Sequence, residues 1–557
     1  MRISLMPLSA PRNSSVGQTT GFTAMFACIL LLVGCGGGGG GNNAGVPPPA
    51  GDPQFRVSGT SPFAAGCDGA PAVGTLYVNA EVEPMVALNP RNANNVVGVW
   101  QQDRWSTGGA RGLLTGMSLD GGRTWTQHMA AFSHCTGGSA TNGGDYSRAS
   151  DPWVTFAPDG TVYQSSLSFN GEVLATGSSS AILVSRSTDG GATWSNPITL
   201  ISDGAIFFND KESITADSTD ARLVYALWDR LVSGGGGGPT YFSRTTDGGV
   251  TWEVSRSIYD PGVNSQTINN QVVVLSDGTL IDFFTRLDTP PNAPATATLA
   301  IIRSPDKGVS WSAPIVISPV QAVGTFDPET HAQIRDGAIL GSIAAGPHGE
   351  LAAVWQDSRF SGGVRDGVAF SRSLDGGLTW TTAVRVNAIA GVPAFVPAVT
   401  IRADGTYGVS YYDFRSNTAD PSTLLTDYWL ARSTDGITWL ENHITGPFDL
   451  AIAPSAGGLF LGDYQALTSI GTVFLPFYVQ TNTGNPANRT DVFSTLASSA
   501  GSANAASMDV GAAGVQALAT PPLTVTPELQ QMLHQSVIRT IQRRMLGRAL
   551  PGGPPEK

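Results

Sequence analysis

A chain of 557 residues with 13% charged side chains, 68 glycines and a formal net charge of −12 is far below the charge content of an average domain, about a quarter. That balance suits many short strands and tight turns better than helices. It also argues against a nucleic-acid partner, because phosphate binding needs clustered Lys and Arg.

Arg2 and Arg12 precede an apolar run, Phe22 to Val33, that ends Leu32-Val33-Gly34-Cys35. The run is too short for a transmembrane helix and reads as a processed export signal. Its end resembles the bacterial lipobox. That resemblance implies lipidation of Cys35, removal of residues 1–35 up to that cysteine, and a cell-envelope location on the outer membrane, with the lipid as the only membrane contact. The stretch before the apolar run is long for such a signal, so a start codon further downstream stays open. Residues 36–72, with Gly36 to Gly41 and Pro47 to Pro49, read as a tether. Cys28 leaves with the signal. Cys67 and Cys135 then remain as an even pair in an oxidising compartment, which predicts a disulfide.

The next feature is a repeat. Ser118-Leu-Asp-Gly-Gly-Arg-Thr-Trp125 returns as Ser187 to Trp194, Thr245 to Trp252, Ser304 to Trp311 and Ser373 to Trp380. A version one residue shorter spans Ser433 to Trp439. The aspartates at 120, 189, 247, 306, 375 and 435 lie 69, 58, 59, 69 and 60 residues apart. Asp accepts nearby backbone N–H groups, Gly supplies positive φ and Trp packs back on the sheet, so Asp120, Asp189, Asp247, Asp306, Asp375 and Asp435 are read as structural hairpin corners.

Strand patterns surround each corner. The first unit has an inner strand near Met85–Leu88, a second ending Val96–Trp100, a third at Leu113–Met117, then the corner and a fourth near Thr126. Second strands recur at Leu223–Trp228, Thr279–Phe284, Leu351–Trp355 and Tyr407–Tyr412. Four antiparallel strands per unit of about 60 residues is a propeller blade. A seventh unit lacks the corner: Gly462-Asp463-Tyr464 opens it, and Thr472–Val479 and Arg489–Leu496 follow. Val73–Asn79 is expected to supply its outer strand and close the ring. The expected class is therefore all-β, a seven-bladed propeller over 73–500, with six blades as the alternative. Residues 501–525 read as a linker. At 526–547, Thr526 as cap and Pro527 at the first position open an amphipathic helix with Leu529, Met532, Leu533, Val537, Ile541 and Met545 on one face.

These repeats resemble the Asp boxes, or BNR repeats, of sialidases and other propellers. Strand direction puts the boxes at one end of every blade. The starts of inner strands and ends of second strands collect at the other end. That end is charged: Glu83-Pro84, Asp151-Pro152, Asp210-Lys211-Glu212, Arg335-Asp336 and Asp463-Tyr464 at inner-strand starts, and Asp103-Arg104, Asp229-Arg230, Arg286, Asp357 with Arg359, and Asp413 with Arg415 at second-strand ends. Such a ring fits an anionic or polyhydroxylated ligand, since Arg donates bidentately to carboxylates and Asp accepts from hydroxyls. Asp-x-Arg pairing within each blade is the competing structural reading.

The sialidase resemblance covers roughly residues 75–500. It implies an exo-glycosidase with a Tyr–Glu nucleophile pair, an Asp acid/base and three arginines on a substrate carboxylate. By position, Tyr464 and Glu212 are candidates for the pair, and Asp103 or Asp151 for the acid. Arg104, Arg230, Arg286, Arg359, Arg415 and Asp463 are candidates for substrate binding. Where sialidases open the first blade with an arginine, this chain reads Ala80-Glu81-Val82-Glu83-Pro84. A non-catalytic glycan- or protein-binding module is the second reading, and a propeller that cleaves polysaccharide by other chemistry is the third. A monomer is expected, with no cofactor. His134, His331, His348 and His443 are scattered without metal-ligand spacing, Gly234–Gly238 is a loop and not a phosphate cradle, and no nucleophile elbow or dinucleotide fingerprint is present.

Overall fold

The computed structural model describes residues 52–70, 73–232 and 237–498. Cys35, the linker 501–525 and the expected helix 526–547 lie outside them. Among the described residues the chain forms seven successive four-stranded antiparallel units, an arrangement consistent with a sialidase-like propeller. The first blade is Leu76–Leu88, Val96–Trp105, Ala110–Ser118 and Thr126–His128. The sixth is Ala394–Ile401, Tyr407–Asp413, Leu425–Ser433 and Leu440–Asp449. The seventh contributes Ala466–Ile470, Val473–Thr481 and Thr490–Thr495.

The closing strand is not the expected one. Gln54–Arg56 pairs antiparallel with Thr490–Thr495, Gln54 opposite Thr495, and completes the seventh blade from the N-terminal side. Residues 76–79 instead extend the inner strand of the first blade, Leu76 opposite Trp105, and only Ala80 pairs with a strand of the seventh blade, bridging Thr490 in parallel. The stretch 52–70, expected to be tether, is thus a structural strap. Arg56 pairs with Asp491 at 2.6 Å and Ser58 Oγ donates to the same carboxylate at 2.7 Å. Further along, Ser61 Oγ donates to Asp103 at 2.8 Å, and Cys67 forms the predicted disulfide with Cys135.

Packing between blades closes the ring. The Phe477 ring of the last blade abuts Gly98 of the first, where a Cβ would sit 2.2 Å from its tip, and the edge of Phe474 abuts Gly408 of the sixth, where a Cβ would sit 2.4 Å from it. Glycine is required at both positions by this close approach. Trp100, Trp228 and Trp355 lie on the second strands of blades one, three and five, fully buried. Their indole N–H groups donate to Gln102, Asn209 and Asp357 at 2.8–3.0 Å, so no buried donor is left open there.

Each Asp box is built on hydrogen bonds from its own turn to Asp and to Ser or Thr, and in the first, second and fifth the Trp indole N–H also donates back to a Gly carbonyl. In the first, Asp120 accepts from the backbone N–H of Arg123 and Thr124 at 3.0 and 2.9 Å and from Thr124 Oγ1 at 2.7 Å. Ser118 Oγ accepts from Gly122 N–H, and Trp125 Nε1 donates to Gly122 O. Against its slight burial, these donors hold the Asp120 carboxyl down at about 2. In the fourth box Lys307 stands where glycine is usual, at φ +60°, and its Nζ bonds Asp217 at 2.7 Å.

The disulfide closes a loop of 68 residues, which in the chain-entropy treatment is worth about 4 kcal/mol. Cys67→Ser and Cys135→Ser should each lower the melting temperature under oxidising conditions. The double variant should be no worse than either single one, which paired thermal melts would show.

Candidate functional site

Inner strands do not run straight into the mouth. Those of blades one, two, three, four and six each carry a bulge near their start, seen as register shifts between Val82 and Met85, Ser150 and Trp153, Asp210 and Ser213, Ile268 and Gln271, and Phe395 and Ala398. One residue of each bulge lies in the left-handed region: Glu83, Asp151, Lys211, Asn269 and Val396, all with φ between 49° and 65°. That conformation is unfavourable for residues with a Cβ, and bulges re-aim side chains. Here Glu83, Asp151 and Lys211 are aimed at one another across three blades.

Lys211 Nζ lies 3.2 Å from Glu83, 2.9 Å from Asp151 and 3.0 Å from Asp463. Asp463, from the seventh blade, also receives both arms of Arg335, at 3.0 and 2.6 Å. Arg104 and Arg335 stack on Phe460 at 4.9 and 4.5 Å, and Arg104 reaches Glu83 through Gln101, which bonds both. Lys211 also lies 5.1 Å from the centre of the Tyr464 ring, which tilts against Trp153. Below this layer a cavity of about 200 Å³ follows the inner strands, lined by Met85, Val86, Ile343, Val399 and Leu467, with Asp463, Tyr464 and Gln465 at its charged end.

The electrostatics separate these carboxyls. Burial pushes Glu83 up to about 7 despite Lys211. Asp151 is equally buried, yet Lys211 and a hydrogen bond shared with Glu83 hold it below the usual carboxylate range. Glu212 is raised well above its ordinary value by burial and the Asp151 charge, and neither of its oxygens has a hydrogen-bond partner. Burial raises the Tyr464 phenol too, reinforced by Glu83, Asp151 and Glu212. Burial and the nearby Arg335 lower Arg104 to about 10.

Of the sequence-derived candidates, Tyr464, Glu212, Asp151, Asp463 and Arg104 therefore come together. Tyr464 and Glu212 are both held protonated, so Glu212 is not set to take a proton from the phenol. Asp103 does not join them: it bonds Ser61, Asn79 N–H and Arg111 on the strap side of the first blade. The four outlying arginines do not converge either, because each meets a local acid. Arg230 pairs with Asp203 at 2.6 Å between Phe207 and Tyr241, and Arg286 pairs with Asp288 at 2.9 Å. Arg359 pairs with Asp357 at 2.7 Å. Arg415 pairs with Asp413 at 2.6 Å and with Glu441 at 2.9 Å, flat on Trp429. Intrablade or neighbour-blade pairing is the outcome for all four. Glu83, Lys211 and Arg335 were visible as inner-strand starts but not singled out. The signal that could have found them was the acid-Pro pair of Glu83-Pro84 and Asp151-Pro152 at equivalent repeat positions.

Two connectors roof the mouth. Ile334–Arg335 and Leu459–Phe460 pair in parallel. The connector carrying Arg335 is held at its base by Asp366, which accepts from Val323 and Gly324 N–H at 2.9 Å. Among the described residues no group of three His, Cys, Asp or Glu side chains is arranged to hold a metal ion.

No family model matches the chain, and no curated protein does. Among solved structures it is similar to the Hadza microbial sialidase Hz136, with 16% identity, 74% of this chain and 75% of that chain covered, and a TM-score of 0.42. It is also similar to the NanB sialidase of Streptococcus pneumoniae, with 10% identity, coverage of 80% and 98%, and a TM-score of 0.41. A third is the GH93 alpha-L-arabinofuranosidase of Fusarium graminearum in complex with arabinobiose, with 12% identity, coverage of 63% and 93%, and a TM-score of 0.39.

Lys211→Met should destabilise the chain by about 3–5 kcal/mol, the usual effect of stranding buried charge. The deficit should be larger at pH 8 than at pH 5.5, where the stranded carboxyls can take up protons. Glu83→Gln tests the other side of the balance. Because Glu83 rises from 4.5 to about 7 on folding, the folded chain keeps a proton over that window which the unfolded chain has lost. That contribution is complete below pH 4.5 and lost as pH rises through 7. Melting temperatures of wild type should thus fall relative to Glu83→Gln between pH 5 and 8.

Proposed function

We propose that this chain is an exported seven-bladed propeller, lipid-anchored at Cys35, that acts as a sialidase-like exo-glycosidase at its mouth. The observation that supports this reading is the Glu83–Asp151 pair, two adjoining carboxyls whose environments push their proton affinities apart. That is the arrangement acid/base chemistry needs. Glu83, protonated near neutrality, donates to the glycosidic oxygen as the bond to the anomeric carbon breaks. Asp151, kept ionised by Lys211, stabilises the positive charge that develops on the sugar, and a water molecule then adds to the anomeric carbon and returns its proton to the Glu83 carboxylate. Tyr464, half-buried at the top of the cavity, offers a ring and a hydroxyl to the substrate.

Burying so many ionisable groups is a poor way to stabilise a ring, since well-packed apolar residues of similar volume do as well or better. Their retention at the end of a central cavity therefore favours a site. With Glu83 and Glu212 protonated, Asp151 and Asp463 face Lys211, Arg104 and Arg335, an inventory that admits neutral and acidic glycans alike.

A second reading, a propeller that binds glycan or protein without turnover, is favoured by one observation. The side chains of Lys211, Glu83, Asp151 and Asp463 are at most 4% exposed, beneath the connector pair. A panel of fluorogenic glycosides, neutral and sialylated, separates the two. Turnover of a neutral glycoside that falls about 10²–10⁴-fold in Glu83→Gln, the usual reach of general acid–base catalysis, and declines above pH 7 in wild type supports the enzyme. Arg415→Ala should leave it intact. Saturable binding with no turnover of any glycoside would favour the binding module.

A further inference from the structure

The six Asp boxes fix their Ser or Thr, Asp and Gly positions by hydrogen bonding and pack their Trp back on the sheet, and leave the second and sixth positions of the pattern pointing outward. Five boxes fill these free positions with aliphatic side chains. Leu119, Val250, Val309, Leu374, Leu378 and Ile437 are between 54% and 68% exposed, and the turns that carry them need nothing apolar there. Solvent-facing turn tips are ordinarily polar, and recurring apolar side chains on one end of a molecule mark a surface that meets another apolar phase.

Strand register places the chain termini at this same end. Every third strand runs from the mouth to its box, and Thr490–Thr495 is the third strand of the last blade, so Thr495 lies at the box end. Gln54, opposite Thr495, lies there too. Asp52 accepts hydrogen bonds from Ser498, whose carbonyl accepts from Arg432 at 3.0 Å, next to the sixth box. Chain therefore enters and leaves the described residues at the box end. Sixteen residues separate Cys35 from Asp52, and the chain joins the described residues at the box end.

We propose that the Asp-box end is a membrane-contacting face, whose aliphatic tips dip into the phospholipid surface and turn the mouth outward. This rests on lipid anchoring at Cys35 and adds a second, protein-borne contact to it. The box aspartates are held by their own turns, and exposed acids stand among them at this end, as Asp220 does beside Arg222. The lipid that fits is accordingly zwitterionic and not anionic.

The test uses the full lipidated chain in phosphatidylcholine vesicles, carrying one labelled cysteine at a time. Leu374→Cys and Ile437→Cys sample the box tips, and Phe326→Cys samples the mouth-side connector. With an environment-sensitive dye, the labels at 374 and 437 should brighten severalfold, shift to the blue and be quenched by brominated lipid, while the label at 326 stays unchanged. No change at 374 and 437, or an equal change at all three, overturns the proposal. Fractionation of cells expressing wild type and Cys35→Ala tests the anchor separately. If the wild-type chain is soluble, the anchor reading fails. The same labels read on that chain at high vesicle concentration then decide the surface, silence at 374 and 437 again overturning it.

Discussion

A single ammonium group organises the mouth. Lys211 Nζ lies within 3.2 Å of carboxylates from the first, second and seventh blades, and through Asp463 it is coupled to the arginine that descends from the connector roof. Four backbone segments far apart in sequence are thereby held against one another at low dielectric. There, the loss of one partner strands charge that water cannot reach. The bulges that aim these residues inward are strained, since Glu83, Asp151 and Lys211 all take positive φ. The bulge is shared with blades four and six, where Asn269 and Val396 take the same conformation; in blades one to three it is what aims the charged side chains inward and off the strand.

The same geometry sets the chemistry. Asp151 and Glu83 share one lysine, but only one of them remains ionised near neutrality, because a single ammonium in a buried site cannot support three full negative charges. Which carboxyl keeps the proton follows from burial and from the hydrogen bond between the two. The roof formed by Ile334–Arg335 and Leu459–Phe460 excludes water and strengthens every interaction beneath it.

Much of this architecture was legible in the sequence because the Asp box is a local signal. Serine, aspartate, two glycines and tryptophan at fixed spacing dictate a turn wherever they occur, and the spacing of the turns dictates the repeat. The disulfide was legible from cysteine count alone. The closing strand was not, because Gln54–Arg56 has three residues and no hydrophobic alternation, and its partner lies more than 430 positions away. Val73–Asn79 looked the better strand and is one, but for the neighbouring blade. At the mouth, residue type revealed which positions carry charge, not which charges meet. Asp-Arg at the ends of second strands looks the same whether the arginine joins the mouth cluster, as Arg104 does, or pairs with an acid of the neighbouring blade, as Arg230 does. Spacing cannot encode that choice, since it depends on a bulge three-dimensionally opposite.

The central claim is that one mouth carboxyl stays protonated at neutral pH beside an ionised one. The most direct measurement is the infrared absorption of the protonated carboxyl carbonyl, followed from pH 5 to pH 9 in wild type and Glu83→Gln. The account predicts that wild type carries one component of this band that is lost with a midpoint near 7 and is missing from the variant, while the contribution of the other raised carboxyls, Glu212 among them, remains in both. A wild-type spectrum with no such component at pH 6, or one that the variant retains unchanged, would contradict it.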